Sequence, residues 1–577
     1  METFTGTFQG FDTQEIFYRC WKNTKNSNDK IVVFLHRGHE HSQRLEPIVR
    51  NGAFADATVY AYDYRGHGNT QTEASYEFMD LVRDLDCFVR FVCVQENKPM
   101  QNIFVVANSV AGVVASTWVH DYAPNIKGMA LVAPAFSIKL YVPLAKPALD
   151  LAVRFFPKLS VKSYVKAHYL THDVAQQFLY NNDPLIKPDI PAKQLTTLLD
   201  TAQRVVQDAQ AIVVPTLVLC ATKDFVVDSA VEGDFFANLS SPLKRFVALE
   251  GFYHGVLYEE NAHIAIDAIA EFIRQSFDYK QPSLLQESVR WTQNEHDRIM
   301  YGSLSGMRKI NYILQTFFMK KFGFLSQGMQ IGLQYGFDSG VTLDYVYENT
   351  PKGVTKIGEL IDKAYLNSIG WKGIRKRKHN TITLLTKKIE ALLQTQENVT
   401  ILDIAGGPAR YLIELAATYK NVTIYVRDYQ EQNIKQGQKL AKERGLENIH
   451  YEQADAFAQT SYSSLSYRPD IVVISGVFEL FNDNDLIQNA IEGVASSLRE
   501  GGYLLYTGQP WHPQLEQIAN VLGNHQQRRW VMRRRTQYEL DTLFQNVGFT
   551  KLEQSIDDWG IFSASIAQLG AKPHVHN

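Results

Sequence analysis

Six short apolar runs recur through the front half of the chain: Ile31–Leu35, Val59–Tyr62, Ile103–Val106, Met129–Val132, Thr216–Cys220 and Phe246–Leu249. Segments of helical spacing part them. In Tyr76–Val92, for instance, Phe78, Leu81, Val82, Leu85, Phe88 and Val92 fall three or four positions apart on one face. Strands that alternate with helices predict an α/β fold, a largely parallel sheet covered on both faces. A second series of the same kind opens at Val399 and runs through Val422–Val426 and Asp470–Gly476 to a fifth strand after Leu498-Arg499-Glu500-Gly501-Gly502. At 577 residues the chain is too long for one hydrophobic core, so two α/β bodies are expected.

Composition closes off several function classes. Apolar residues make up 45% and aromatics 12%, an ordinary globular balance, and a net charge of −3 argues against nucleic acid as a partner. Cys20, Cys87, Cys93 and Cys220 form no metal-like or redox spacing and read as buried thiols, so no metal is expected. The sequence Met1–Gly6 lacks a basic and an apolar signal region, and no 18-residue apolar run occurs, so a cytoplasmic location is expected.

The first chemical signal is Ala107-Asn108-Ser109-Val110-Ala111, which follows a strand-like run and precedes a helix-like one. A serine flanked two positions away by small residues at such a junction lifts its hydroxyl out of the sheet, where it can attack a carbonyl. Asp224 follows the run Thr216–Cys220, and His254 lies in the loop Gly251–Gly255. With His36-Arg37-Gly38-His39-Glu40-His41-Ser42 and Asp63-Tyr64-Arg65-Gly66-His67-Gly68, the series resembles the monoacylglycerol-lipase and serine-aminopeptidase branch of the α/β-hydrolases over about residues 10–275. The resemblance implies Ser109 as nucleophile, His254 as base, Asp224 as its orienter, and the N–H groups of Gly38 and Val110 as oxyanion hole. The Asp63 segment reads as a structural turn. Four positions depart from the family: Arg37 and His39 replace glycines beside the oxyanion residue, and Ala107 and Ala111 replace the elbow glycines. Arg37 reads either as a greeter of anionic substrate or as a solvent-facing side chain. Between about 136 and 211 the alternation stops, and helical segments (Tyr141–Phe156, Val161–Tyr180) are expected to form an apolar, aromatic lid.

In the second series, Asp403-Ile404-Ala405-Gly406-Gly407-Pro408-Ala409-Arg410 joins the first strand to a helix, and Asp428-Tyr429 ends the second strand, 25 positions after the first acid. Taken alone, this also fits a dinucleotide site, but a Gly-x-Gly-x-x-Gly run is absent. With Gln453-Ala454-Asp455-Ala456-Phe457 and the strand ending at Ser475-Gly476, the set looks like class I S-adenosylmethionine-dependent methyltransferases over about 395–570. That resemblance implies a cofactor site that includes Asp403 and Ala405, with Gly406 and Gly407 flanking the methionine moiety. Asp428 would hold the ribose and Asp455 with Phe457 the adenine, and Tyr429, Ala456 and Ser475 would belong to the same cofactor site. Glu479, Tyr506 and His512, near the ends of strands four and five, read either as loop hydrogen-bonding groups or as a base for the acceptor.

The expected organisation is thus an α/β-hydrolase domain over 1–280, a helical connecting or capping region over 281–395 and a Rossmann-like methyltransferase domain over 396–577. The expected function is a serine hydrolase of ester or acyl bonds fused to a methyltransferase, on small or lipid-derived molecules. The alternative is an idle hydrolase fold that only recruits substrate or partner. Basic runs at Trp371–Lys378, Arg528-Arg529 and Arg533–Arg535 read either as solvated surface or as peripheral contact with anionic membrane.

Overall fold

A computed structural model describes residues 1–23, 29–72 and 76–570, and the chain divides into two compact units, Met1–Ser283 and Leu284–Asn577. The first contains β1 (Glu2–Gln9), β2 (Glu15–Lys22), β3 (Ile31–Leu35), β4 (Thr58–Tyr62), β5 (Ile103–Asn108), β6 (Gly128–Val132), β7 (Ser160–Lys162), β8 (Asp189–Pro191), β9 (Thr216–Ala221) and β10 (Lys244–Leu249). Eight of them form one sheet in the order β1-β2-β4-β3-β5-β6-β9-β10. From β4 to β10 every pair is parallel, while β1–β2 and β2–β4 are antiparallel.

The continuous apolar runs have the burial that a doubly covered parallel sheet demands: β3, β4, β5, β6 and β9 are buried at every position. Each fully buried Val, Leu, Ile or Phe there contributes roughly 1.5–3 kcal/mol relative to exposure. β1 is mostly exposed along its length, which is why no apolar run announces it. The helix expected over Tyr76–Val92 is observed at Phe78–Glu96. It starts late because Glu77 caps it, its carboxylate accepting from the third-residue N–H while Asp80 accepts from the Glu77 N–H.

The insertion between β6 and β9 is only partly helical. Helices Ala145–Phe155, Val174–Asn181 and Ala192–Gln207 are present, but Val161 lies in β7, paired antiparallel with β8, so the helix expected over Val161–Tyr180 begins only at Val174. The insertion sits on the loops after the strands: Leu170 O accepts from Gly255 N–H at 2.6 Å, and the Tyr164 hydroxyl donates to Val226 O at 3.2 Å. It therefore covers the edge where Asp224 and His254 stand, as a lid must.

The second unit holds β11 (Val399–Ile404), β12 (Val422–Asp428), β13 (Ile449–Gln453), β14 (Ile471–Ile474), β15 (Tyr503–Gly508), β16 (Phe549–Ile556) and β17 (Ser563–Leu569). Their order is β13-β12-β11-β14-β15-β17-β16: five parallel strands, then β17 antiparallel to β15 and β16 antiparallel to β17. Side chains alternate between two cores: Ile401 and Val473 face one, Leu402 and Val472 the other. Chain order reverses between β11 and β14, which opens a crevice at their carboxyl ends. Six helices between Leu285 and Leu393 precede β11. They share a third core with residues beyond β15, in which Trp371, Ile374, Trp530 and Phe562 pack together. Among the described residues no helix is long and apolar enough to cross a membrane.

Candidate active sites

Ser109 sits between β5 and helix Val110–Tyr122 with φ 59° and ψ −115°. A non-glycine residue there costs about 1–3 kcal/mol and persists only where its surroundings hold it. Three bonds do so: Ser109 N–H donates to Val132 O (2.8 Å), and Ser109 O accepts from Gly112 N–H (2.8 Å) and Ala135 N–H (3.0 Å). Alanine is tolerated at 107 and 111, both fully buried. Gly112 is not replaceable, since a Cβ there would lie 2.6 Å from Pro134 Cβ.

The Ser109 hydroxyl donates to His254 Nε2 at 2.7 Å, and His254 Nδ1–H donates to Asp224 Oδ2 at 2.7 Å. The carboxylate can only accept, so the proton of the neutral ring is on Nδ1 and the Nε2 lone pair faces the serine. Asp224 Oδ1 accepts from the N–H groups of Val226 (2.6 Å) and Val227 (2.9 Å). Burial raises its pKa, but His254 and these N–H groups outweigh burial and hold it below the usual carboxylate range. Val110 is the first helical residue, so its N–H has no intrahelical acceptor. A Cβ on Gly38 would lie 3.3 Å from Val110 Cγ2, so Gly38 packs against the Val110 side chain.

The solvent-facing expectation for Arg37 is corrected. It is buried, donates to Glu40 Oε1 at 2.8 Å, and packs over the rings of Tyr180 and Tyr258. It supports the loop that carries His254, where a Cβ on Gly255 would lie 2.9 Å from Arg37 Nη1. His39 takes the left-handed conformation (φ 68°) that a glycine favours, its ring against Lys187 O of the lid. Asp63 holds a turn, accepting from Ser42 N–H (2.6 Å) and Asn69 N–H (2.8 Å).

In the second unit the loop after β11 and the tip of β12 are bonded directly: Gly407 N–H donates to Asp428 Oδ2 at 2.9 Å. Asp428 Oδ1 accepts from Gln430 N–H (2.8 Å) and Asn433 Nδ2–H (3.0 Å), so one of its four acceptor directions is left. Ala454 N–H donates to Asp428 O at 3.1 Å, which draws in the segment carrying Asp455, Ala456 and Phe457. Asp455 Oδ1 accepts from Phe457 N–H (2.9 Å), and Phe457 packs edge-on against Phe481. Tyr429 is 72% exposed. Ala405 and Ala409 are both left-handed, at φ 54° and 50°. Asp403 lies beneath Gly406, where a Cβ would be 2.2 Å from its Oδ2. Tyr411 donates to that oxygen at 3.0 Å, while Oδ1 is buried without a hydrogen-bond partner. Burial, with the Asp428 charge, pushes the Asp403 pKa up to about 8. Ile404 pairs with Ile474, so Ser475 follows β14 on the same carboxyl edge.

Beside Gly476 opens a cavity of about 230 Å³. Its wall is mostly apolar (Met319, Leu343, Trp371, Ile374, Met532 and Phe562 among others), with Asp338, Arg377, Glu479 and His512 among its polar groups. Arg377 donates to Glu479 Oε1 at 2.9 Å and lies against Gly476, where a Cβ would be 2.9 Å from its Nη2. Of the three candidate bases, two are corrected. The Tyr506 hydroxyl donates to Asp541 at 2.7 Å inside the core. His512 Nδ1 accepts from Gln514 N–H at 3.0 Å, and burial with the Arg534 charge pushes its pKa down to about 3. Its ring is neutral with the proton on Nε2, a donor and not a base. Glu479 remains. Arg377, Trp371 and Trp530 were missed as site residues.

Of the basic runs, Arg533–Arg535 is corrected as surface, whereas Arg528 and Arg529 are exposed. Arg533 pairs with Glu539 (2.7 Å), Arg534 with Glu295 (2.5 Å), and Arg535 donates to Phe478 O (2.6 Å), all three buried.

A family model described as "Putative methyltransferase" matches residues 269–569, and one described as "Serine aminopeptidase, S33" matches 26–261. "Uncharacterized protein YnbC" of Escherichia coli (strain K12) is 42% identical over 97% of both chains. The monoglyceride lipase of Homo sapiens is 29% identical over 43% of this chain and 82% of its own. The crystal structure of the Paleococcus ferrophilus monoacylglycerol lipase is 20% identical, covering 48% of this chain and all of that one, with a TM-score of 0.40. The chain belongs to the methyltransferase family whose model spans residues 269–569, joined behind an α/β-hydrolase of the S33 serine-aminopeptidase type.

Proposed function

We propose that the chain is a two-activity enzyme: a serine hydrolase of acylglycerol-like esters in front, and an S-adenosylmethionine-dependent methyltransferase of an apolar acceptor behind. The observation that carries the first activity is the unbroken run of 2.7 Å contacts from Ser109 through His254 to Asp224. In this reading His254 takes the Ser109 proton as Oγ attacks the ester carbonyl, and Asp224 stabilises the imidazolium. The N–H groups of Gly38 and Val110 receive the oxyanion. The imidazolium then protonates the leaving alcohol, and a water activated by the same histidine hydrolyses the acyl-serine. The apolar lid and the monoglyceride lipases among the relatives support an acyl chain as substrate.

For the second activity the residues fit the cofactor. Asp403 offers a buried, unpartnered oxygen to an ammonium, Gly406 lets the loop pass over Asp403 because it has no Cβ to collide with that carboxyl, and Asp428 keeps one acceptor direction for a ribose hydroxyl. Bound S-adenosylmethionine supplies an electrophilic methyl group. Glu479 takes the proton of a hydroxyl or amine acceptor, Arg377 holds that carboxylate in place, and His512 Nε2–H orients the acceptor.

The test is paired. Wild-type chain should release fatty acid from a monoacylglycerol and Ser109→Ala should not, while both bind S-adenosylmethionine with equal heat in calorimetry. Equal ester turnover by Ser109→Ala, or no cofactor heat from wild type, would remove the respective half.

A further inference from the structure

Helix Gly306–Phe322 of the second unit is amphipathic, yet its apolar side faces outward. Ile310, Ile313, Leu314, Phe317, Phe318 and Phe322 are all exposed, and no residue of the helix is buried. At 100° per residue these six fall within about half the helix circumference. The inward side carries Tyr312, which donates to Glu516 (3.1 Å), and Met319, which lines the cavity. The patch continues through exposed Phe324 and, by the bond from Val354 N–H to Leu325 O, to exposed Val354, Ile357 and Leu360.

Charge on this segment has one sign. Between Asp297 and Asp338 no acidic residue occurs, while Arg308, Lys309, Lys320 and Lys321 of the helix are all exposed. A large apolar face this exposed marks an interaction surface. A second copy of the chain is a poor occupant, because a two-fold contact would bring the same cations together. An anionic bilayer suits both halves of the pattern: apolar side chains enter the acyl boundary, and lysines meet the headgroups on their methylene stems.

We infer that helix Gly306–Phe322 is a docking surface for anionic lipid bilayers. Its cavity-lining residue Met319 lies on the far side, so a docked membrane is about one helix diameter from the cavity. The inference stands apart from the assignment of either activity.

The full chain is floated with vesicles of phosphatidylglycerol and phosphatidylcholine in equal parts, and with phosphatidylcholine alone. Binding is expected to the first only, to weaken with salt, and to fall about thirtyfold in Lys320→Gln/Lys321→Gln. Phe317→Ser/Phe318→Ser should abolish it, whereas Leu151→Ser/Phe155→Ser in the exposed lid helix should leave the preference for anionic lipid intact. Failure of wild-type chain to float overturns the inference, as does undiminished binding by the Phe317/Phe318 variant. So does light scattering that finds a wild-type dimer made monomeric by that variant, which would make the face a contact between copies.

Discussion

The two carboxyl edges of this molecule are prepared in opposite ways. At the front edge the three triad side chains already have their partners: Ser109 donates to His254, His254 to Asp224, and Asp224 accepts two backbone N–H groups. At the back edge the loop is built, but Asp403 Oδ1 is buried and unpartnered, with its pKa pushed up to about 8. A site that generates its own nucleophile must be wired in advance. On the proposed reading the back site receives a cationic cofactor and keeps a polar group in reserve, visible as an unsatisfied atom. Both edges store strain in non-glycine left-handed residues, Ser109 in front and Ala405 and Ala409 behind.

The largest expected effects break the wired site. His254→Ala should lower ester kcat by about 10⁵-fold and Asp224→Asn by about 10⁴-fold, the latter by offering the ring the wrong tautomer. Combining the two should cost little beyond the first alone. Rates that multiplied would show that the residues do not act as one unit. Next comes the Arg377–Glu479 pair, buried on both sides. Arg377→Met leaves Glu479 uncompensated and should destabilise the second unit by about 3–5 kcal/mol in denaturant unfolding, while Arg377→Met/Glu479→Leu recovers most of it.

Smaller effects sharpen the contrast at the unsatisfied edge. Gly406→Val drives a side chain into Asp403 and should weaken S-adenosylmethionine about a hundredfold in calorimetry, with ester hydrolysis unchanged. Asp403 also sets a pH signature. Its unfolded carboxyl ionises near 3.8 and its folded one at about 8, so the folded state holds the extra proton between these values. This residue's contribution to stability therefore falls as pH rises through that window. An ammonium ligand needs the ionised form, so cofactor affinity should rise with pH, by up to tenfold per unit, and level off above about 8. Asp403→Asn should flatten that slope. Last, Ala405→Gly relieves a left-handed alanine and should leave the second unit unchanged or stabilised by about 1 kcal/mol.

Local patterns carried most of the front site. The elbow, Asp224 and His254 each lie in a strand-end or loop segment whose neighbours in sequence are also its neighbours in space, so their chemistry could be read directly. Gly406, Gly407 and Asp428 were readable for the same reason. The cavity was not, because its walls come from chain far apart: Arg377 is 102 positions from Glu479. Inside Trp371–Lys378 one side of the helix is buried, so a run that reads as a basic surface hides the arginine that matters. Arg533–Arg535 misled in the same manner, since Arg534 finds Glu295 239 positions away. Tyr312–Leu325 reads in the sequence as apolar and aromatic, interrupted by Lys320 and Lys321, but periodicity shows that a face exists, not that it turns outward. β1 and β7 were missed because short or exposed strands leave no continuous apolar run.

The central claim is that one chain builds two separate, competent sites. It is tested most directly by treating the full chain with a fluorophosphonate and titrating that same sample with S-adenosylmethionine, adduct mass and binding heat being read together. The account predicts one adduct, on Ser109, and an undiminished equivalent of bound cofactor. An unmodified Ser109, or cofactor heat that vanishes with phosphonylation, would contradict it.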